Sequence, residues 1–146
     1  HTIVKGHEYS REYLRSMVRR GSSSIRLIKN FTTRDQAIVQ AQIVVFTLGR
    51  LNTSRKHAIR KVTDEVTEQK ATELTYNQFA QEAVLGKIAS DIYNAAKKIS
   101  RLRHVGVSKT KLIKKPSIEV EDMVTLKPQP EETEEVDVPV TPISSN

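Results

Sequence analysis

The twelve residues from Ala37 to Leu48, Ala-Ile-Val-Gln-Ala-Gln-Ile-Val-Val-Phe-Thr-Leu, constrain the fold more than any other stretch. Six of them are β-branched, a composition that suits a pleated, half-buried surface and loses side-chain freedom in a helix. A second strand-like run, Ser24 to Phe31, precedes it. Between them lies Thr32-Thr33-Arg34-Asp35-Gln36, a polar connector of hairpin length. Two strands alone do not make a stable unit in water. The rest of the chain must therefore cover this hairpin. No internal repeat is evident.

The remaining patterns are mostly helical. Ser10 is a helix N-cap, since its hydroxyl can accept a first-turn N–H. From there the periodicity predicts a helix to about Arg20, stopped by Gly21, with Tyr9, Tyr13, Met17, Leu14 and Val18 on the buried face. Asn52-Thr53-Ser54 offers caps for a long helix to about Ala71, with Ala58, Ile59, Val62 and Val66 in one stripe. Thr75 and Gln78 resemble a capping box that opens a helix to Gly86, with Phe79, Ala83 and Val84 inward. Lys87 to Ser100 repeats the pattern with Ile88, Ile92, Ala95, Ala96 and Ile99. Thr2-Ile3-Val4 reads as the end of a strand, Leu102 to Ile113 as a whole one, and Pro116 closes the folded part. Strands at both ends of a helical middle predict an α+β fold in which three to four helices pack on a sheet.

Charge divides the chain. Residues 117–146 hold eight acids against the single cation Lys127, net −7, and four of the five prolines. Residues 1–116 hold 23 cations against nine acids, net +14. The expected organisation is a folded domain over 1–124 and an acidic tail over 125–146, which lacks the apolar surface to offset its ordering entropy and is expected to be disordered. Such a tail either shields the basic body or simply solubilises it. Cysteine is absent, which excludes disulfides and thiolate chemistry and suits a reducing compartment. No run of about 18 apolar residues is present, which excludes a transmembrane helix, and no secretory leader is visible.

Three basic clusters stand out. Arg11, Arg15 and Arg19 are four apart and would share a helix face, with Arg20 extending the group. Stacked like charges repel unless an anion sits opposite; the plain alternative is a solvated face that Glu8 and Glu12 partly neutralise. Arg55, Lys56, His57, Arg60 and Lys61 fill the first two turns of the long helix, against the favoured order for the helix dipole. Pairing of Arg60 with Asp64 and Lys61 with Glu65 would be the ordinary explanation, but it leaves Arg55 and Lys56 over. The third cluster runs through Lys97, Lys98, Arg101, Arg103, His104, Lys109, Lys111, Lys114 and Lys115. It suits either phosphate contact or an edge strand protected from aggregation.

Signals for catalysis are poor. His1, His7, His57 and His104 lack metal-ligand spacing, Asp64, Glu65 and Glu68 read as a salt-bridged helix, and no glycine-rich phosphate loop exists. No cofactor or metal is expected. Aromatics make up 5% of the chain and are scarce among the basic clusters, so duplex or folded RNA held through its phosphates is expected over base stacking.

The stretch Gly6-His7-Glu8-Tyr9-Ser10-Arg11-Glu12-Tyr13-Leu14-Arg15-Ser16-Met17-Val18-Arg19-Arg20-Gly21 resembles the signature of the archaeal and eukaryotic small-subunit ribosomal protein S3Ae family, in its archaeal wording. The resemblance continues through Val45 to Arg50, Ala58 to Lys61, Gln81 to Ala89 and Lys109 to Pro116, covering residues 2 to about 123. It implies a non-enzymatic constituent of the small ribosomal subunit with a β-barrel-like sheet, on the platform near the messenger exit. The implied partners are small-subunit ribosomal RNA, neighbouring platform proteins and messenger RNA, with no membrane. The implied location is the cytoplasm, ribosome-bound. Family members carry further N-terminal strands before Thr2, so the resemblance also implies a truncated start.

On this reading Arg11, Arg15, Arg19, Arg20, Arg55, Lys56, Arg60, Lys61, Lys109, Lys111, Lys114 and Lys115 contact RNA. Two rivals remain: a general DNA- or RNA-packaging protein, and an adaptor that docks a partner protein through Phe79 and Val84.

Overall fold

The computed structural model describes residues 2–117. The expected tail over 125–146 lies outside them. In chain order the elements are β1 (Gly6–Glu8), α1 (Arg11–Met17), β2 (Ser24–Thr32), β3 (Ile38–Thr47), α2 (Thr53–Glu73), α3 (Tyr76–Leu85), α4 (Lys87–Ala96) and β4 (Leu102–Lys114). The four strands form one antiparallel sheet in the order β1-β4-β3-β2. The α+β fold read from the sequence is therefore correct.

The barrel-like closure that the family resemblance implies is not. Among the described residues β1 and β2 are opposite edges of an open sheet. Closure would require β1 and β2 to pair with each other, and instead each has a single neighbour, β4 and β3 respectively.

The core lies between one face of this sheet and helices α2, α3 and α4. Ile25 and Phe31 of β2, Val39, Ala41, Ile43 and Val45 of β3, and Leu102, Val105 and Val107 of β4 pack against Ile59, Phe79, Ala83, Ile88, Ile92 and Ala96. Tyr76, which is also buried there, donates its hydroxyl to the Val4 carbonyl and so pins the N-terminal segment to α3. Burial pushes the Tyr76 hydroxyl pKa up, and it remains a donor at neutral pH.

The helix starts follow their caps. Ser10 Oγ accepts from Tyr13 N at 3.2 Å. Thr75 and Gln78 form the reciprocal capping box. Gly86, at φ 86°, ends α3 and begins α4 in a left-handed conformation that a side chain resists, which is how two helices join without a loop.

Four sequence expectations need correction. First, the α2 stripe is rotated: its buried residues are Ile59, Thr63, Thr67 and Ala71, while Ala58, Val62 and Val66 are half-buried. Threonine tolerates burial because Thr63 Oγ1 donates to the Ile59 carbonyl (2.8 Å) and Thr67 Oγ1 to the Thr63 carbonyl (2.7 Å), so neither hydroxyl is left unpaired. Second, Val84 points to solvent, 60% exposed. Third, α1 ends at Met17, because Val18 adopts an extended conformation (ψ 123°), and the helix has no fully buried residue. Gly21 sits instead in the turn Arg19–Ser22, where Ser22 N and Oγ both donate to the Arg19 carbonyl. The first strand also falls at Gly6–Glu8, a few residues beyond Thr2-Ile3-Val4.

Candidate nucleic-acid interface

Strand pairing decides which side chains share a face. Residues opposite one another in adjacent strands point the same way. One row across the sheet is Glu8, Lys109, Gln42 and Ile28; the next is Gly6, Lys111, Gln40 and Asn30; a third is Lys114, Ile38 and Thr32. These rows alternate with those that pack on the helices, so Lys109, Lys111 and Lys114 stand on the face that α2, α3 and α4 leave uncovered. Arg26, opposite Val44, joins them. The β4 lysines are all exposed, and so is Lys115.

The same face continues into α1. His104 is paired with Phe46 and Gly106 with Val44. Tyr13 meets the His104 ring edge-on at 6.1 Å between centroids, and Tyr9 meets Tyr13 at 5.3 Å. The Arg103 guanidinium lies 5.6 Å from the Phe46 ring centroid and donates to the Met17 carbonyl. These contacts seat α1 on the helix-free side of the sheet. Arg11 and Arg15, four apart and exposed, thus belong to the same surface as the β4 lysines. Arg19 and Arg20 lie past the end of the helix, so the expected stack of three arginines on one helix face is two arginines and a turn.

Partners separate free cations from occupied ones. Among the described residues Lys29 bridges Asp64 (2.8 Å) and Glu68 (3.5 Å), Lys70 meets Asp91, Lys87 meets Glu82, and Lys109 meets Glu8 at 3.3 Å. Asp64 thus binds β2 and does not pair with Arg60, and the hydrogen bond from Lys29 raises the pKa of that ammonium. Of the twelve predicted contact residues, Lys109 alone has an ion pair among the described residues. Arg11, Arg15, Arg19, Arg20, Arg55, Lys56, Arg60, Lys61, Lys111, Lys114 and Lys115 have none.

The second cluster stands apart, because it belongs to the helix layer. Arg55 opens α2 beside Leu48, Gly49 and Leu51, and Arg101 lines the same depression. The Leu48 amide donates to the Arg101 carbonyl at 3.2 Å. Arg101, read from the sequence as part of the third cluster, is therefore a neighbour of Arg55. The spacing of 46 residues hid that pairing.

Sequence reasoning missed the aromatic group. His7, Tyr9, Tyr13 and His104 form a chain of edge-on rings, with His7 and Tyr9 at 6.3 Å. His7, Tyr9 and Tyr13 lie within seven residues of one another, but the pairing of β1 with β4 is what brings His104 to them, and no local window contains that contact. Burial, and secondarily the Arg103 charge, push the His104 pKa down. Burial also raises the Tyr9 hydroxyl, helped by Tyr13. Phe79, through which the rival adaptor reading would dock a partner, is 1% exposed in the core, where the helical periodicity places it, and presents nothing to a partner. Among the described residues no group of His, Asp or Glu is arranged to hold a metal, and no helix is long and apolar enough to cross a membrane.

A sequence model of the ribosomal S3Ae family matches residues 1–116. The chain belongs to that family. It is 45% identical over 117 residues to small ribosomal subunit protein eS1 of Sulfolobus acidocaldarius, covering 80% of this chain and 59% of that protein. It is 46% identical over 115 residues to the protein of the same name from Saccharolobus solfataricus, covering 79% and 55%. This S3Ae-family chain therefore spans little more than half the length of the curated relatives it matches. The matched region contains every described element, including both basic surfaces.

Proposed function

We propose that the chain is a structural, non-enzymatic constituent of the small ribosomal subunit, ribosome-bound in the cytoplasm. It holds ribosomal RNA through phosphate contacts on the platform near the messenger exit. The observation that carries this reading is the set of eleven exposed or half-exposed cations without an acidic partner, on a body of net charge +14. Cations held apart from carboxylates keep their full attraction for a polyanion and release its counterions on binding. The name shared by the relatives supplies the ribosomal setting.

Two surfaces divide the work. Arg11, Arg15, Arg19 and Arg20 join Lys109, Lys111, Lys114 and Lys115 on the uncovered sheet face. Arg55, Lys56, Arg60 and Lys61, with Arg101 added, form a second contact at the start of α2. A protein with cations on two sides fits between RNA segments, with platform proteins and messenger RNA beside it. Sedimentation of the tagged chain in cell extract tests the reading. Co-migration with small subunits at moderate salt is the expected result; a chain that stays at the top of the gradient refutes it. Competition between ribosomal RNA and duplex DNA separates this function from general packaging, which predicts equal displacement.

A further inference from the structure

An open groove of about 410 Å³ runs along the first half of β4, where β1 no longer covers the strand edge. Val84, Leu85 and Gly86 of the α3–α4 corner, Ala89, Ser90 and Tyr93 of α4, and Tyr9, Arg103, His104 and Val105 line it. We propose that this groove takes one unpaired nucleobase of the bound RNA, stacked on Tyr93 or Tyr9. The inference rests on the RNA-binding reading and adds a contact that reads unpaired nucleotides.

Four observations favour that occupant. The walls offer aromatic and aliphatic side chains, with Tyr93 38% and Leu85 74% exposed. The lining contains a cation and no carboxylate, so it complements a nucleotide. Arg103 and His104 of the lining each carry a buried guanidinium or ring nitrogen, Nε and Nε2, that has no hydrogen-bond partner within the protein. The unpaired Arg11 and Arg15 begin two residues after Tyr9, which sets phosphate contacts next to the base. A base on an aromatic ring beside a cationic track is the general geometry of single-strand recognition.

The test compares a blunt RNA hairpin with the same hairpin carrying an unpaired 3′ overhang, by fluorescence anisotropy on the full chain at fixed salt. The overhang RNA should bind more tightly. Tyr93→Ala should remove that advantage, roughly 5- to 160-fold for one lost base stack, and leave the blunt hairpin unchanged. Tyr93→Phe should keep the advantage, because stacking does not use the hydroxyl. Leu85→Glu, at an exposed position, should abolish it without touching the core. A 5-iodouridine in the overhang should cross-link to the peptide containing Tyr93 or Tyr9. Equal wild-type binding of the two RNAs overturns the groove but spares the cationic surfaces. An overhang advantage that survives both Tyr93→Ala and Leu85→Glu does the same and leaves the groove to a protein partner. Failure to bind either RNA removes both readings.

Discussion

Replacing Arg11 and Arg15 together with alanine separates a phosphate clamp from a solvated helix face. Both guanidiniums are exposed, four residues apart on α1, and without an acidic partner among the described residues. Their loss should therefore cost the fold little; removing the repulsion between them returns a few tenths of a kcal/mol. Binding should respond very differently. If each arginine neutralises one phosphate, the slope of log affinity against log salt becomes shallower by about 0.7–0.9 per arginine, or about 1.4–1.8 for the pair. Referred to 1 M salt, where the counterion term vanishes, that is a loss of roughly 25- to 60-fold at 0.1 M. The assay is a salt titration of RNA binding by anisotropy, with a thermal melt of each variant. Lys29→Ala is the internal control, since Lys29 already serves Asp64 and Glu68 on the helix side of the sheet. An unchanged slope in the double variant would show that Arg11 and Arg15 touch no phosphate, and an equal change in Lys29→Ala would show that net charge and not the placed arginines drives binding.

Further outcomes follow from the core and its joints. Ile92→Ala, at a fully buried position of α4, should destabilise the fold by about 2–5 kcal/mol in a denaturant titration. Gly86→Ala forces a side chain into φ 86° and should cost about 1–2 kcal/mol, with the open space around it ruling out a clash as the cause. Thr67→Val should stay within about 1 kcal/mol of wild type, because the lost hydroxyl bonds only a carbonyl of its own helix. The folded state lowers the His104 pKa below its ordinary 6.5, so the unfolded chain binds the proton more readily. This contribution to stability is complete above about pH 6.5 and is lost as pH falls below it. His104→Gln should flatten the acid limb of a stability–pH curve, and an unchanged limb would contradict the assigned burial. The groups facing that ring are Arg103, Tyr9 and Tyr13.

How much of this was legible in the sequence depended on the range of the interaction that decides it. The hairpin, the Ser10 cap and the Thr75–Gln78 box each involve neighbours within a few residues, and they were read correctly. The α2 stripe failed because a hydropathy pattern ranks Val62 above Thr63 and cannot see a hydroxyl bonded back to its own helix. Val84 failed for the opposite reason: an apolar residue was assigned inward although the groove leaves it at the surface. Arg19 left the helix because Val18 is extended and Arg103, 86 residues away, holds the Met17 carbonyl. The candidate site shows the same limit. Each basic cluster was visible locally, but that Arg11 and Lys111 share a face while Arg55 stands with Arg101 is a property of strand order. The aromatic group is local from His7 to Tyr13 and becomes non-local only where it meets His104.

Strand order also governs how the molecule comes into being. β4 is the last of the described elements to be made, yet it sits between β1 and β3, and Gly6 finds its partner in Lys111. Gly6 and the arginines of α1 must therefore wait through the synthesis of some hundred further residues before their seat on β4 exists. The hairpin and helices can settle first, and the proposed RNA-binding surface is completed only when β4 enters the sheet.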